Sequence, residues 1–248
     1  LTAAANIHVV DVVPETLAAL SQRFGVTTAA APSDALASAD VIVLAVKPQQ
    51  MRDVVASVKP YVKSQLLLSI AAGIRAADLS RWLGGHQAIV RTMPNTPALV
   101  GKGITGAVAM AGVSAVQKQT ADAILRAVGD TVWLDDEGKI DAVTALSGSG
   151  PAYVFYFIEA MQAAAVELGL TEAQGRELAQ ATFAGASELA IRSDEPVSLL
   201  RERVTSKGGT TYAALMSMEA SGVKPAIVKA LHAAAARGKE LGDEFGKD

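Results

Sequence analysis

The sequence predicts two domains: an α/β domain on a doubly wound parallel sheet over residues 1–138, then an all-helical domain over residues 139–248. Three observations carry that expectation. Short runs rich in Val, Ile and Leu alternate with helical patterns through the first half; strand signals stop after about Asp135; and half of the 248 residues are apolar, enough to bury one large core or two modest ones.

In chain order, Ile7–Val12, Val41–Val46, Leu66–Ala71 and Ala88–Met93 read as strands buried on both faces. Between them Pro14–Phe24, Pro48–Val58 and Ala76–Leu83 carry apolar residues at helical spacing, two of them opening on a first-turn Pro. Thr105–Met110 and Thr131–Leu134 bracket a helix at Ser114–Val128 and extend the sheet at its far edge. This order suggests a nucleotide-binding (Rossmann-like) layer. Beyond Asp135, helices are expected at Lys139–Leu146, Pro151–Leu168, Glu172–Arg192, Val197–Arg203, Thr211–Ser221 and Pro225–Leu241. Their Ala-rich faces permit close approach but bury little area in a lone bundle, so these helices are expected to pack against a second subunit.

Composition removes several function classes. Cysteine is absent and the three histidines, His8, His86 and His232, have no ligand spacing, so no metal site is expected. The net charge of −3 is spread without a basic run, which argues against nucleic acid as a partner. Apolar stretches fall far short of the roughly 20 residues that span a bilayer. A soluble, cytoplasmic protein with a small-molecule ligand is the expectation.

A sheet of this kind ordinarily opens with a strand, a Gly-rich turn and a helix N-terminus that receives the cofactor pyrophosphate. Here Leu1–Ala5 reads as a helix tail and Ile7–Val12 as the second strand, so a first strand and loop of roughly 20 residues is expected to be missing. A different sheet order that needs no such loop is the alternative.

Four segments could carry chemistry on the α/β side. Asp11, at a strand's carboxyl end, could accept both hydroxyls of an adenosine ribose and repel a 2′-phosphate, favouring NADH; it could equally start a turn that caps the next helix. Leu44–Pro48 puts Lys47 at a strand exit, where a solvated turn is the alternative. Ser69–Gly73 is a second exit whose small residues would let a nicotinamide or ribose lie against the backbone, or else serve tight helix packing. Arg91–Pro97 ends a third strand and presents Asn95 and Thr96 at the same edge. Three exits in one layer favour a cofactor crevice.

In the helical half the densest polar segment is Arg201–Thr211. Gly208 and Gly209 allow unusual backbone conformations, and Thr210 or Thr211 could cap the following helix, leaving N–H groups that bind a carboxylate; a plain helix–helix turn is the alternative. Ser147–Pro151 opens a helix bearing Tyr153, Phe155, Tyr156 and Phe157, a cluster more often core or interface than cofactor contact.

Taken in order, Leu-Ala-Val-Lys-Pro, Ser-Ile-Ala-Ala-Gly, Met-Pro-Asn-Thr-Pro, Leu-Ser-Gly-Ser-Gly-Pro-Ala-Tyr and Thr-Ser-Lys-Gly-Gly-Thr-Thr resemble the pyrroline-5-carboxylate reductase pattern across essentially the whole chain. The resemblance implies reduction of 1-pyrroline-5-carboxylate to L-proline with NADPH or NADH. It implies that Ala45, Val46, Lys47, Pro48, Ala71 and Ala72 line the nicotinamide and ribose. It implies a substrate pocket of Glu137, Ser206, Gly208, Gly209, Thr210 and Thr211, with Ser206 and Thr211 in the catalytic role and Thr211 near the ring nitrogen. It also implies that the pocket pairs the helical half of one subunit with the nucleotide layer of its neighbour, making a homodimer or higher homo-oligomer. Two departures stand out: Asp11-Val12 where many relatives carry Ser, Asn or Arg, and Arg203 where an Asn is common.

Two rivals are distinguishable. A hydroxyacid or other imine reductase usually has a Lys proton donor on the first long helix of its helical domain, and Pro151–Leu168 contains none. A non-catalytic, dimerising nucleotide-binding protein would lack reductase activity altogether.

Overall fold

A computed structural model describes residues 2–247; the Leu1 end of the expected helix tail lies outside them, and a single 3-10 turn at Ala4–Asn6 follows. By packing, the chain divides into two compact units. The first comprises the described residues up to Gly148 together with those from Ala234 onward, and the second is Ser149–Ala233.

The first unit opens with β1 (His8–Val10), α1 (Pro14–Phe24) and β2 (Thr27–Ala29). Pro14 starts α1 without wasting a donor, and Gly25, in the left-handed conformation, ends it. β1 and β2 pair in parallel as a two-stranded sheet of their own, so the strand expected at Ile7–Val12 is shorter and stands apart from the main sheet. Next come β3 (Val41–Leu44), α2 (Met51–Val58), β4 (Leu66–Ser69), α3 (Ala76–Trp82), β5 (Ile89–Met93), β6 (Gly103–Ala109), α4 (Ala115–Arg126) and β7 (Gly129–Trp133). The five strands β3 to β7 form one sheet in sequence order.

All pairs in that sheet are parallel except β5–β6. The reason is the connection: Pro94–Lys102 is occupied by one 3-10 turn at Thr96–Val100, too short for a crossover, which takes about a dozen residues or more. α4, by contrast, supplies a full crossover between β6 and β7, and a reciprocal Ser114–Gln117 capping box starts it.

Strand β4 shows why the centre is dry on both faces. Leu67 packs with Met51, Val55, Ile74, Leu79 and Ile89 on one side, whereas Leu66 and Leu68 pack with Val90, Ala107, Ala121 and Leu125 on the other. After β7 the chain makes a 3-10 turn at Glu137–Lys139, the short helix α5 (Ile140–Val143) and a π-helical turn at Thr144–Gly148.

The second unit holds α6 (Gly150–Glu167), α7 (Glu172–Arg192), α8 (Val197–Arg203), α9 (Thr210–Ala220) and the start of α10 (Val223–Phe245). A Thr171–Gln174 capping box sets the start of α7. The later part of α10 belongs to the first unit, where Gly238 and Gly242 are buried and Phe245 packs against the core. A Cβ on Gly242 would lie 3.0 Å from the Arg75 guanidinium, so the helix passes close over that side chain.

Candidate functional site

The first unit brings three strand exits to one edge. In the parallel register Leu44 lies beside Ser69 and Ser69 beside Arg91, so the carboxyl ends of β3, β4 and β5 are neighbours. After β3, Ala45 and Lys47 are exposed while Val46 and Pro48 are half-buried. Lys47 is extended and stands before the 3-10 turn Pro48–Gln50, with Pro48 fixing the next φ. After β4 the chain is held tightly: Ile70 N–H donates to the Leu44 carbonyl, Ala71 N–H to Ser69 Oγ, and Thr92 Oγ1 to the Ser69 carbonyl at 2.9 Å. Ala71 is buried and Ala72 half-buried. Gly73 then turns with φ +73°, and a Cβ there would lie 3.1 Å from Phe245 of α10. Thus six expected cofactor residues, Ala45, Val46, Lys47, Pro48, Ala71 and Ala72, occupy two adjacent loops with small or stiff side chains. A flat ring or a ribose fits such an edge.

Asp11 follows β1, in the smaller sheet. Its Oδ1 accepts the Val13 N–H at 2.9 Å and its own N–H donates to the Ala29 carbonyl. The carboxylate therefore shapes the turn into α1, but the helix cap expected with that turn is not formed, since N-cap Val13 precedes α1 with no side-chain cap.

The third exit carries a clip. Asn95 Nδ2 donates to the Ser147 carbonyl at 3.2 Å, and its Oδ1 accepts the Ile104 N–H at 3.0 Å. The side chain read from sequence as a polar group offered at the sheet edge instead ties that edge to the π-helical turn and to β6. Gly148 belongs to the same arrangement, since a Cβ there would lie 2.5 Å from Met93 Cε.

Glu137, in the 3-10 turn after β7, reaches β5 and the start of α3. Its Oε1 accepts two hydrogen bonds, from Ala76 N–H at 2.7 Å and from Arg91 Nη1 at 2.9 Å. Arg91 is 4% exposed and Glu137 29%, so the guanidinium side of this ion pair is dry and the carboxylate side is partly open. Glu137 is marked by the family resemblance, whereas Arg91 carries no such mark. A charged residue in the strand run Ala88–Met93 was the available signal, because a buried charge needs a partner.

The second unit holds the other candidate residues. α8 ends at Arg203, which pairs with Glu195, and Thr205 Oγ1 donates to the Arg201 carbonyl at 2.6 Å. Gly208 takes φ +75°, a conformation closed to most other residues. Ser206 folds over the turn: Gly209 N–H donates to its carbonyl, and a Cβ on Gly209 would meet Ser206 Oγ at 2.5 Å. The N-cap of α9 is Gly209, not a threonine as expected from sequence, and no side chain caps it. Thr210 and Thr211 are the first two helical residues, exposed and half-buried respectively. Donors left bare at the positive end of a helix, beside two hydroxyls, can hold a carboxylate.

Residues 137–241 match the family model described as pyrroline-5-carboxylate reductase dimerisation, and residues 1–73 match that described as NADP oxidoreductase coenzyme F420-dependent. The pyrroline-5-carboxylate reductase of Pseudomonas aeruginosa is 45% identical over 245 residues, spanning 98% of this chain and 90% of that protein. The solved structure of a pyrroline-5-carboxylate reductase from Coxiella burnetii superposes with a TM-score of 0.89 at 40% identity, covering 95% of this chain and 88% of that one. That of a Plasmodium falciparum pyrroline carboxylate reductase with NADP bound gives 0.86 at 31% identity, covering 96% and 88%.

Proposed function

The chain belongs to the pyrroline-5-carboxylate reductase family, and from that membership we propose how its residues divide the work of the reaction. The reaction is the reduction of 1-pyrroline-5-carboxylate to L-proline, the last step of proline biosynthesis, with NADPH or NADH. When bound, the reduced dinucleotide supplies a hydride to the imine carbon; the ring nitrogen, already protonated, becomes the amine and needs no strong general acid.

The loops at the carboxyl ends of β3 and β4 hold the nicotinamide end of the cofactor. Ala45, Val46, Ala71 and Ala72 supply flat, close backbone; Lys47 and Pro48 close one side. Asp11 serves the adenosine ribose with the oxygen that the turn does not use. Residues 1–138 thus act as the cofactor half, and 139–248 as the dimerisation and substrate half, a boundary supported by the family match that begins at residue 137. The family resemblance assigns Glu137, Ser206, Gly208, Gly209, Thr210 and Thr211 to substrate binding.

The single observation that carries the substrate assignment is the bare N-terminus of α9. Its N–H groups receive the substrate carboxylate. Ser206 and Thr211 orient the ring, with the Thr211 hydroxyl near the nitrogen, so that the imine carbon meets the hydride donor at about 3–3.5 Å. The working form is a homodimer or larger homo-oligomer in the cytoplasm, with no nucleic-acid partner.

Oxidation of NADH or NADPH in the presence of pyrroline-5-carboxylate tests this reading. Thr211→Ala is expected to lower turnover by roughly 10–100-fold, the worth of one positioned hydrogen bond. Unchanged kinetics would take Thr211 out of the mechanism.

A further inference from the structure

The loop from Ser69 to Ala76 is suspended between two anchors, and the second comes from far along the chain. At the β4 end it is fixed by the Ser69 contacts already described. At the other end it runs into α3, whose N-cap residue, Arg75, makes no side-chain cap. The cap is supplied by Glu137, 61 positions away, whose Oε1 takes the Ala76 N–H. The same oxygen takes Arg91 Nη1, from the strand that pairs with β4.

This is an expensive arrangement for a structural cap alone. A Ser or Asp at position 75 would cap α3 locally from water-exposed ground. Here a guanidinium 4% exposed and a carboxylate 29% exposed are paired instead, and Arg91 Nε is buried with no partner. An uncompensated donor inside a core is rare and costly. What the pair gains is registration: Glu137 stands just before the substrate half, Ala71 and Ala72 lie in the loop, and one carboxylate oxygen ties the two together.

We propose that Arg91 and Glu137 are positioning residues for the cofactor. Arg91 holds Glu137, Glu137 holds the Ala76 N–H, and the Ala71–Ala72 backbone is thereby set to receive the nicotinamide. This deepens the reading given above and rests on it: beyond the substrate role given to Glu137, its Oε1 is spent on two protein donors and acts on the cofactor loop. Small displacements of such a loop carry large kinetic penalties, because hydride transfer tolerates little misplacement.

The test compares wild type with Arg91→Met, Arg91→Lys and Glu137→Gln. Steady-state kinetics are measured with each substrate varied in turn, and the Kd for NADPH and NADH by fluorescence titration without the imine. Arg91→Met is expected to raise the KM and Kd for the dinucleotide roughly tenfold while the KM for pyrroline-5-carboxylate stays within about twofold. Arg91→Lys, which keeps the charge, recovers part of the loss. A folded Arg91→Met with unaltered dinucleotide Kd overturns the proposal, as does a rise in imine KM alone, which would leave Glu137 its substrate role and none on the cofactor loop. Should Arg91→Met not fold, Glu137→Gln decides by the same constants, since it keeps an acceptor for Ala76 but loses the charge pair. A wild-type protein that binds dinucleotide yet does not reduce the imine refutes the reaction assignment and leaves the Kd arm to judge the strut.

Discussion

The two units solve the burial problem differently. In the first, Met51, Leu66, Leu67, Leu79, Ile89 and Val90 are fully buried on both faces of a sheet. In the second, Ala179 is the one buried apolar side chain among the described residues, while Phe155, Tyr156, Leu168, Leu189 and Ile191 are all more than half exposed. A layer that closes on itself can hold strand exits rigid for a cofactor. A layer that leaves this much apolar surface bare is built to be covered, and in a dimerisation domain a second copy is the cover. The helix α6 makes the point locally: Val154, Phe155 and Tyr156 are successive and all exposed, so its apolar residues point around the helix instead of along one stripe.

The sharpest way to break the comparison is to damage the first unit alone. Gly103 and Gly129 face each other between β6 and β7, and a Cβ on Gly129 would fall 1.9 Å from the Gly103 carbonyl oxygen, at a φ of +151°. Gly129→Ala is therefore expected to cost about 3 kcal/mol, from overpacking and backbone strain together. Both tryptophans, Trp82 and Trp133, lie in this unit, so their fluorescence during urea unfolding reads its stability directly. A midpoint equal to wild type would mean that the sheet edge is softer than its contacts suggest.

The second unit should respond in assembly instead. Phe155→Asp removes an apolar ring that is 59% exposed in the single chain and replaces it by a charge. If the second copy covers it, about 1.5–3 kcal/mol of burial is lost and the assembly constant falls by roughly 10–100-fold. Light scattering across a dilution series measures this, while the tryptophan unfolding midpoint at high dilution stays put. An unshifted assembly constant would show that α6 is covered by something other than another chain.

The same contrast explains what could be read from sequence. Glu172–Arg192 and Val197–Arg203 were legible to the residue because capping, Ala content and flanking Gly or Pro are local signals. β2, three residues of Thr27–Ala29, has no periodicity to see, and its existence depends on pairing with β1. The antiparallel turn of β6 was foreshadowed only by the shortness of Pro94–Lys102. At the site, motif order brought out the Ala45–Pro48 and Gly208–Thr211 segments, since each is contiguous. The Arg91–Glu137 pair spans 46 positions and Asn95–Ser147 spans 52, and contacts at such separation leave no local trace. Gly209, not a threonine, is the N-cap of α9, and Ser206 folds against it, a contact that no local pattern announces.

The smallest expected effect lies where the chain returns to the first unit. Arg75 donates to Asp243 near the end of α10, and Arg52 and Arg81 donate to the carbonyls of Lys247 and Gly246, just beyond the helix's negative pole. The hydrogen bond from Arg75 comes first in holding the Asp243 carboxyl below its ordinary value of 3.8. A carboxyl lowered in the folded state stabilises above its unfolded value, and that contribution disappears as pH falls through the folded one. Wild type and Asp243→Asn should thus differ slightly in unfolding midpoint at neutral pH and converge in acid, below the depressed folded value. The pair is well exposed, so added salt should narrow the neutral-pH gap. Tryptophan fluorescence from Trp82, on the helix that follows Arg75, reports on the docked end of α10, and a gap that persisted unchanged into acid would assign the stabilisation to packing by Phe245 alone.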